Sequence, residues 1–351
     1  MTAFMPMNRH RPQCEAAILT GDWDRLLAEA SAWVAEQQAA EQTDPRPYFA
    51  QNVVHLLRGQ FGEAWKIHAL CLEAEHDIAA VKQWVESLVE QGRDNGHAHL
   101  VMGLFLAQSG QSEQSMQSYK EAARLLPHSA YPHYFLAQIH ERAAHPEMAI
   151  KEYREAVRLA PDFAPARTNL GVAYQEQGRL EMAIKEYREV IKLHPEDAVA
   201  HANLACALAE QGKMEPAVQS YKTALKLNPQ DAEVHFALGG LYETRGRLDL
   251  AEKSYRDALA ANPEFGAAYS ALGWISLRRQ RMQDAQELFN RALKCNAEDP
   301  RAYHGIAELY AIRGKRQSAM DNYSKAVKYY RDPEMKNALM NQLFQEGQVP
   351  D

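Results

Sequence analysis

A spacing of 34 residues organises most of this chain. Pro127, Pro161, Pro195, Pro229 and Pro263 recur at that interval, and so do the aromatics Tyr119, Tyr153, Tyr187, Tyr221, Tyr255, Phe289 and Tyr323. Two rows of small residues keep the same step: Ser115, Ala149, Ala183, Ala217, Ala251, Ala285 and Ala319, and Gly103, Ala137, Gly171, Ala205, Gly239, Gly273 and Ala307. The octet MAIKEYRE is present in full at Met148–Glu155 and again at Met182–Glu189, in the same register. Four rows in one register define a duplicated structural unit. Units of this size cannot bury their apolar faces alone, so neighbours must stack.

Each unit carries two segments of helical periodicity around a short turn, as at Glu176-Gln-Gly178-Arg-Leu180. The spacing predicts a first helix, A, and a second, B. The small residues allow A and B to approach closely, and the aromatic of B fills the seam between units. Proline ends helix B because it cannot donate the next intrahelical bond. Ser129, Asp197, Asp231 and Asp299 stand where the next helix A wants an N-cap, and Pro146 and Pro216 fall in the first turn of helix B. Within the octets, Lys151 and Lys185 follow Glu147 and Glu181 by four residues, an order that supports a helix by about 0.2–0.5 kcal/mol per pair.

This pattern resembles the tetratricopeptide repeat, W-x2-L-G-x2-Y, then A-x3-F, then a closing proline. The unit Ala164–Asp197 displays it as Leu170-Gly171, Tyr174, Ala183, Tyr187 and Pro195. Departures are few: Ser276 and Leu106 replace the tyrosine of helix A, and Ala297 and Arg331 replace the closing proline. The resemblance implies seven repeats over residues 96–333 and an all-α fold, a right-handed α-α superhelical solenoid of helix pairs. Residues 334–351 are expected to form a capping helix and short tail, with Met335, Leu339 and Leu343 on one face of Glu334–Gln345. Residues 1–95 read as an N-terminal helical region, either degenerate repeat-like pairs capping the array or a distinct docking domain. One pair turns at Gly21-Asp22, a second places Gly59, Ala64 and Cys71 at repeat-like offsets, and IAAVKQWVESLVEQG adds a further amphipathic helix. The polar tract AEQQAAEQTDPRP between the first two pairs is expected to contain a loop or joint.

Composition excludes several roles. A net charge of −7 offers no basic footprint for nucleic acid, and Lys151, Arg154, Lys185 and Arg188 of the B helices are interleaved with glutamates. No run approaches the ~18 apolar residues of a membrane helix and the N-terminus lacks a signal-like core, so direct membrane insertion is not expected and a cytoplasmic location is. The four cysteines are far apart without a C-x-x-C spacing, which suits free thiols. Phosphate-loop, nucleophile-elbow and zinc-helix motifs are absent, so the expectation is no enzyme, no catalytic residue and no cofactor. His99, His133, His201 and His235 share one repeat position, with His97 beside them, but no fixed carboxylate or cysteine accompanies them. They are expected to replace a half-buried aromatic, and no metal site is expected.

The resemblance places function on the concave surface built from the A helices. Its inward positions carry Tyr131, Tyr134, Gln138, Thr168, Asn169, Asn203, Phe236, Glu243, Trp274 and His304, with His97, Leu100 and Cys206 alongside. Rings supply contact area and amides bond a peptide backbone, a mixture suited to an extended peptide or partner protein. Asn169 and Asn203 share a repeat position that, in the repeats of O-GlcNAc transferases, forms an asparagine ladder along bound peptide. The matching positions here are otherwise Val101, Phe135, Ala237, Ala271 and Gly305, so both a ligand role and a purely consensus role stay open. Glu141, Glu176, Glu210, Glu233, Glu243 and Glu308 outnumber Arg142, Arg278 and Arg301, favouring a basic or neutral segment. The position that would carry the lysine of a chaperone-binding carboxylate clamp holds none. The leading expectation is a non-catalytic interaction scaffold or adaptor. A regulatory or substrate-recruiting subunit of a separate enzyme and a self-assembling structural protein are the alternatives, and oligomeric state stays open.

Overall fold

The computed structural model describes residues 10–39, 44–58, 60 and 78–348. Among these the regular structure is entirely helical, and no helix is long and apolar enough to cross a membrane. The chain divides into two compact units, residues 1–189 and 190–351.

In the first unit, four helices precede the repeats: His10–Thr20, Trp23–Ala39, Pro45–Leu57 and Ile78–Gln91. The first two form the pair expected at Gly21, whose φ of +70° sets the turn. The polar tract is helical up to Ala39 and again from Pro45, with Asp44 capping the new helix through Arg46 N. The offsets at Gly59, Ala64 and Cys71 lie outside the described residues. Trp33 and Trp84 meet edge to face at 6.4 Å in the core of this region. Trp84 donates its indole N–H to Glu15 Oε1 at 2.8 Å. Several contacts tie these helices to the first repeat. Asn95 donates to the Leu19 carbonyl at 2.8 Å, and Phe49 lies edge-on to Phe105 at 5.8 Å.

The helix pairs Gly96–Gln108 with Ser112–Leu125 and Ala130–Arg142 with Pro146–Leu159 follow, then Ala164–Glu176 with Leu180–Leu193, whose last residues enter the second unit. The second unit holds Ala198–Glu210 with Met214–Leu227, Ala232–Thr244 with Leu248–Ala261, Gly266–Arg278 with Met282–Cys295, and Pro300–Ile312 with Arg316–Tyr329. Helix Pro333–Gln348 ends the described chain.

The four sequence rows have distinct mechanical tasks. A Cβ added at Gly103, Gly171, Gly239 or Gly273 would sit 2.4–2.6 Å from the ring of Tyr119, Tyr187, Tyr255 or Phe289 in the paired helix B. The A–B turn places one residue in the left-handed region at every 34th position: Gly110, Ala144, Gly178, Gly212, Gly246, Gln280 and Gly314. Five of the seven are glycine, the residue that meets this conformation without a Cβ penalty.

Asp197, Asp231 and Asp299 cap their helices through backbone N–H groups as expected. Ser129 occupies the cap position without making the side-chain bond, whereas Asn95, one 34-residue step before it, caps helix Gly96–Gln108. The octet ion pairs also differ from expectation. Glu147 pairs with Arg179 of the following repeat, and neither Lys151 nor Lys185 bridges a carboxylate among the described residues. A guanidinium reaching across from the neighbouring turn wins over the lysine four residues along, because it arrives on a rigid element with a fork of donors. At the C-terminal helix Leu339 is 1% exposed and packs on Ala319, Tyr323 and Ala326 with Leu343 beside it, as a lid should. Met335 is 37% exposed and stands apart from that face.

Candidate functional site on the A helices

In the first unit the expected groove residues gather around Tyr134. Its ring lies 5.0 Å from Phe163, 5.1 Å from Phe135 and 6.0 Å from Tyr153, and it is 0% exposed. Tyr134 is therefore a core residue of the A-helix wall and not an open contact. The cause is Phe163, which occupies an N-cap position without a cap bond and covers Tyr134 instead. Tyr131 stays half-buried against the same Phe163 ring at 5.5 Å. Gln138 is half-buried on the same helix, one turn after Tyr134.

Asn169 closes this network. Its Nδ2 donates to the Tyr153 hydroxyl at 3.3 Å and lies 3.5 Å from that of Tyr134, and Tyr153 donates onward to Glu141 Oε2 at 3.0 Å. Burial pushes both hydroxyls well above the usual tyrosine range, with the Glu141 charge adding to the effect at Tyr153. They therefore remain protonated donors. Thr168, next to Asn169, is half-buried and makes no hydrogen bond among the described residues.

In the second unit, Asn203 is half-buried and, unlike Asn169, has no hydrogen-bond partner among the described residues. The two rungs of the expected ladder thus have different surroundings. Phe236 packs on Tyr255 at 5.3 Å and edge-on to Phe265 at 5.2 Å. Glu243 accepts from the Tyr255 hydroxyl at 2.8 Å and pairs with Arg278 at 3.0 Å, so its charge is compensated on the spot. Trp274 and His304, one repeat apart, meet edge to face at 4.8 Å. Trp274 donates its indole N–H to the Arg301 carbonyl at 3.2 Å, and His304 Nε2 stands 3.5 Å from Glu308 Oε1, which also accepts from Tyr323. Phe236, Trp274 and His304 all remain half-buried.

The histidine row has a structural task. His99, His201 and His235 each present Nε2 to the carbonyl six residues earlier, at 2.9, 3.0 and 3.0 Å, where a carbonyl can only accept. Arg167 and Tyr303 make the same reach from the same repeat position, at 2.7 and 3.1 Å. These side chains satisfy the carbonyl left open where helix B has ended. His133 instead meets Glu152 at 2.7 Å. Among the described residues no three or more histidine, cysteine or acidic side chains converge as metal ligands. Cys14 is buried, and burial with the nearby Glu29 and Glu15 charges pushes its thiol up to about 12.

One regularity of this surface is visible in the sequence once the geometry is known. Where the repeat position of Tyr134 is aromatic, the cap position 29 residues later is phenylalanine: Tyr134 with Phe163, Phe236 with Phe265. Where it is serine the cap is aspartate, and Ser270 Oγ donates to Asp299 Oδ2 at 2.6 Å. A within-chain comparison of positions 29 apart would have found the two partner phenylalanines.

Comparison with known proteins gives the same picture. The family model described as the cilia and flagella-associated protein 70 C-terminal domain matches residues 165–351, and a tetratricopeptide-repeat model matches residues 147–178. No curated protein matches the chain. Among solved structures, a tetratricopeptide repeat protein from Parabacteroides merdae is 17% identical with a TM-score of 0.57, over 74% of this chain and 98% of that one. The C-terminal part of a repeat protein from Cytophaga hutchinsonii is 13% identical with a TM-score of 0.54, over 71% and 100%. Yeast Tom70 is 11% identical with a TM-score of 0.54, over 96% of this chain and 88% of that one. At these identities the likeness is one of fold, the α-α solenoid of helix pairs. With a family model spanning more than half of its length, the chain belongs to the cilia and flagella-associated protein 70 C-terminal domain family of tetratricopeptide repeat proteins.

Proposed function

We propose that this protein is a non-catalytic interaction scaffold that binds an extended segment of a partner protein along its A helices. The observation that carries the reading is the set Phe236, Trp274 and His304 on A helices of the second unit. Each ring packs on a neighbouring aromatic side chain and stays half-buried. Such rings give contact area at little entropic cost, because their rotamers are already locked. Asn203 adds an amide whose donors and acceptor are unspent among the described residues, the group a peptide backbone would use.

The partner's charge follows from the same geometry. Glu243 is compensated by Arg278, which removes one of the carboxylates counted toward an acidic groove. A largely neutral peptide fits better than a strongly basic one. Because Asn169 supports the wall itself, the informative variant combines Asn203→Ala with Trp274→Ala. Affinity capture from native extract with cross-link mapping tests the reading: cross-links should fall on the A helices and disappear in the double variant. Cross-links that persist in a folded double variant, or that map only to B helices or to residues 10–91, would sink it.

A further inference from the structure

The two copies of MAIKEYRE contribute to one cleft. Arg154 from the first copy and Met182, Lys185 and Glu186 from the second line a cavity of about 430 Å³, floored by Leu170 and Tyr174. This is within the ~300–1,000 Å³ typical of ligand sites. It lies among helices Pro146–Leu159, Ala164–Glu176 and Leu180–Leu193. Met182, although apolar, is 51% exposed at its edge. The Tyr174 hydroxyl makes no hydrogen bond among the described residues.

The rim is cationic and incompletely paired. Arg179 is shared with Glu147, Arg158 with Glu155, and Glu186 is held by Arg167 at 2.7 Å. Arg154 and Lys185 have no carboxylate partner among the described residues. Arg154 and Arg179 line the same cavity as the apolar Leu170 and Tyr174. An apolar floor beside two unpaired cations is complementary to an apolar side chain flanked by carboxylates. A nucleic acid would lay a continuous line of phosphates over Glu147, Glu155 and Glu186 as well as over the cations, which opposes it.

We propose that this cleft is a second docking site, which takes an acidic segment of a partner protein. An aliphatic or aromatic side chain enters between Met182, Leu170 and Tyr174, and its flanking carboxylates pair with Arg154 and Lys185. The octet thus has a task beyond packing. The site is independent of the A-helix reading, and variants at Asn203 and Trp274 should leave it intact.

Fluorescence anisotropy on the full chain tests it, using a labelled, acetylated Glu-Asp-Leu-Phe-Asp-Glu peptide. The expected result is saturable binding that weakens by about tenfold or more in the double variant Arg154→Glu, Lys185→Glu. Met182→Ser, which leaves the charge unchanged, should weaken it by about threefold to tenfold through the lost apolar contact. All three positions are exposed, and circular dichroism melts confirm that each variant folds. The proposal is overturned if the wild type fails to bind the peptide at about 1 mM, or if the charge reversals leave its affinity unchanged. It is also overturned if a peptide with Gly-Ser in place of Leu-Phe, or a short single-stranded oligonucleotide, binds as tightly through the same two residues.

Discussion

The Tyr255 hydroxyl donates to Glu243 Oε2 at 2.8 Å, joining the aromatic of one helix B to the inner edge of its own helix A. The same link recurs twelve residues apart between Tyr153 and Glu141 and between Tyr187 and Gln175. In the seventh repeat the tyrosine turns to Glu308, one helical step earlier. The sixth repeat has no hydroxyl, since Phe289 stands there, and it places Leu277 and Trp274 where the others place polar partners. The aromatic row is thus coupled to the candidate binding surface by a tyrosine hydrogen bond in the second, third, fifth and seventh repeats. Tyr255→Phe should cost about 1.5–3 kcal/mol, the range for a bond to a charged acceptor. Adding Glu243→Leu, which copies the sixth repeat, should recover part of that loss. Urea melts of the two single variants and the double variant measure the coupling, and strict additivity would show that the bond contributes nothing.

The left-handed turn gives a stabilising prediction. Ala144 and Gln280 hold φ of +55° and +58°, while the equivalent glycines have open space where a Cβ would be. The left-handed conformation costs a non-glycine residue about 1–2 kcal/mol. Glycine returns part of that through its freer unfolded chain. Ala144→Gly and Gln280→Gly should each raise stability by about 0.5–1 kcal/mol, and Gly246→Ala should lower it by about 1 kcal/mol. Differential scanning calorimetry reads all three, and a lowered transition in both glycine variants would refute the strain.

Asp231 and Asp299 have the same cap position but not the same contacts. Asp231 accepts from Val234 N, whereas Asp299 accepts from Arg301 N and Ala302 N and also from the buried Ser270 hydroxyl. Loss of a cap costs about 1 kcal/mol. A buried hydroxyl left without its charged acceptor adds about 1–3 kcal/mol. Asp299→Ala should therefore be the more damaging of the two alanine variants, and Ser270→Ala in its background should cost little more. Equal losses for Asp231→Ala and Asp299→Ala in chemical denaturation would show that the Ser270 bond is not formed.

The pH dependence of the first unit rests partly on His97. Its ring lies edge-on to Trp23 at 5.6 Å and covers Gly21, where an added Cβ would be 2.6 Å from it. Burial lowers its pKa below the ordinary 6.5, against the opposing bond with the Leu19 backbone. The unfolded chain therefore binds this proton more readily than the folded one. The stabilising effect of a neutral His97 is complete above pH 6.5 and is lost progressively as pH falls below it toward the folded value. His140 is also lowered by burial and acts in the same direction. Thermal melts between about pH 5 and 7.5 should show a fall in wild type that is smaller in His97→Gln. An identical pH slope in the variant would remove His97 from the account.

The repeat architecture was legible because it is written in one dimension. Periodic Pro127 to Pro263, Tyr119 to Tyr323 and the small-residue rows require only counting, and each does what its chemistry dictates. The binding surface was legible only in outline, because whether a side chain is open depends on what a different helix brings to it. Tyr134 and Phe236 hold the same repeat position, yet Tyr134 is enclosed by Phe135, Tyr153 and Phe163 while Phe236 is only half-buried. The Glu147–Arg179 pair shows the same limit. The sequence offers a lysine four residues away, and the fold supplies a better-placed arginine from the next repeat.

Asn169 and Asn203 bring these threads into one experiment. The repeat before Asn169 supplies Tyr134, whose hydroxyl the amide meets together with that of Tyr153, whereas the repeat before Asn203 has Thr168 at that position. Asn169→Ala leaves two tyrosine hydroxyls short of a donor and should cost about 1–2 kcal/mol of stability. Asn203→Ala breaks no side-chain bond among the described residues and should leave stability within about 0.5 kcal/mol of wild type. On binding the order should reverse. With a captured partner segment as ligand, Asn203→Ala should weaken affinity by about tenfold through a lost peptide hydrogen bond, and Asn169→Ala should weaken it less once folding is complete. If both variants lose stability equally, the engagement of Asn169 is wrong. If neither affects binding, the two asparagines are repeat consensus and nothing more.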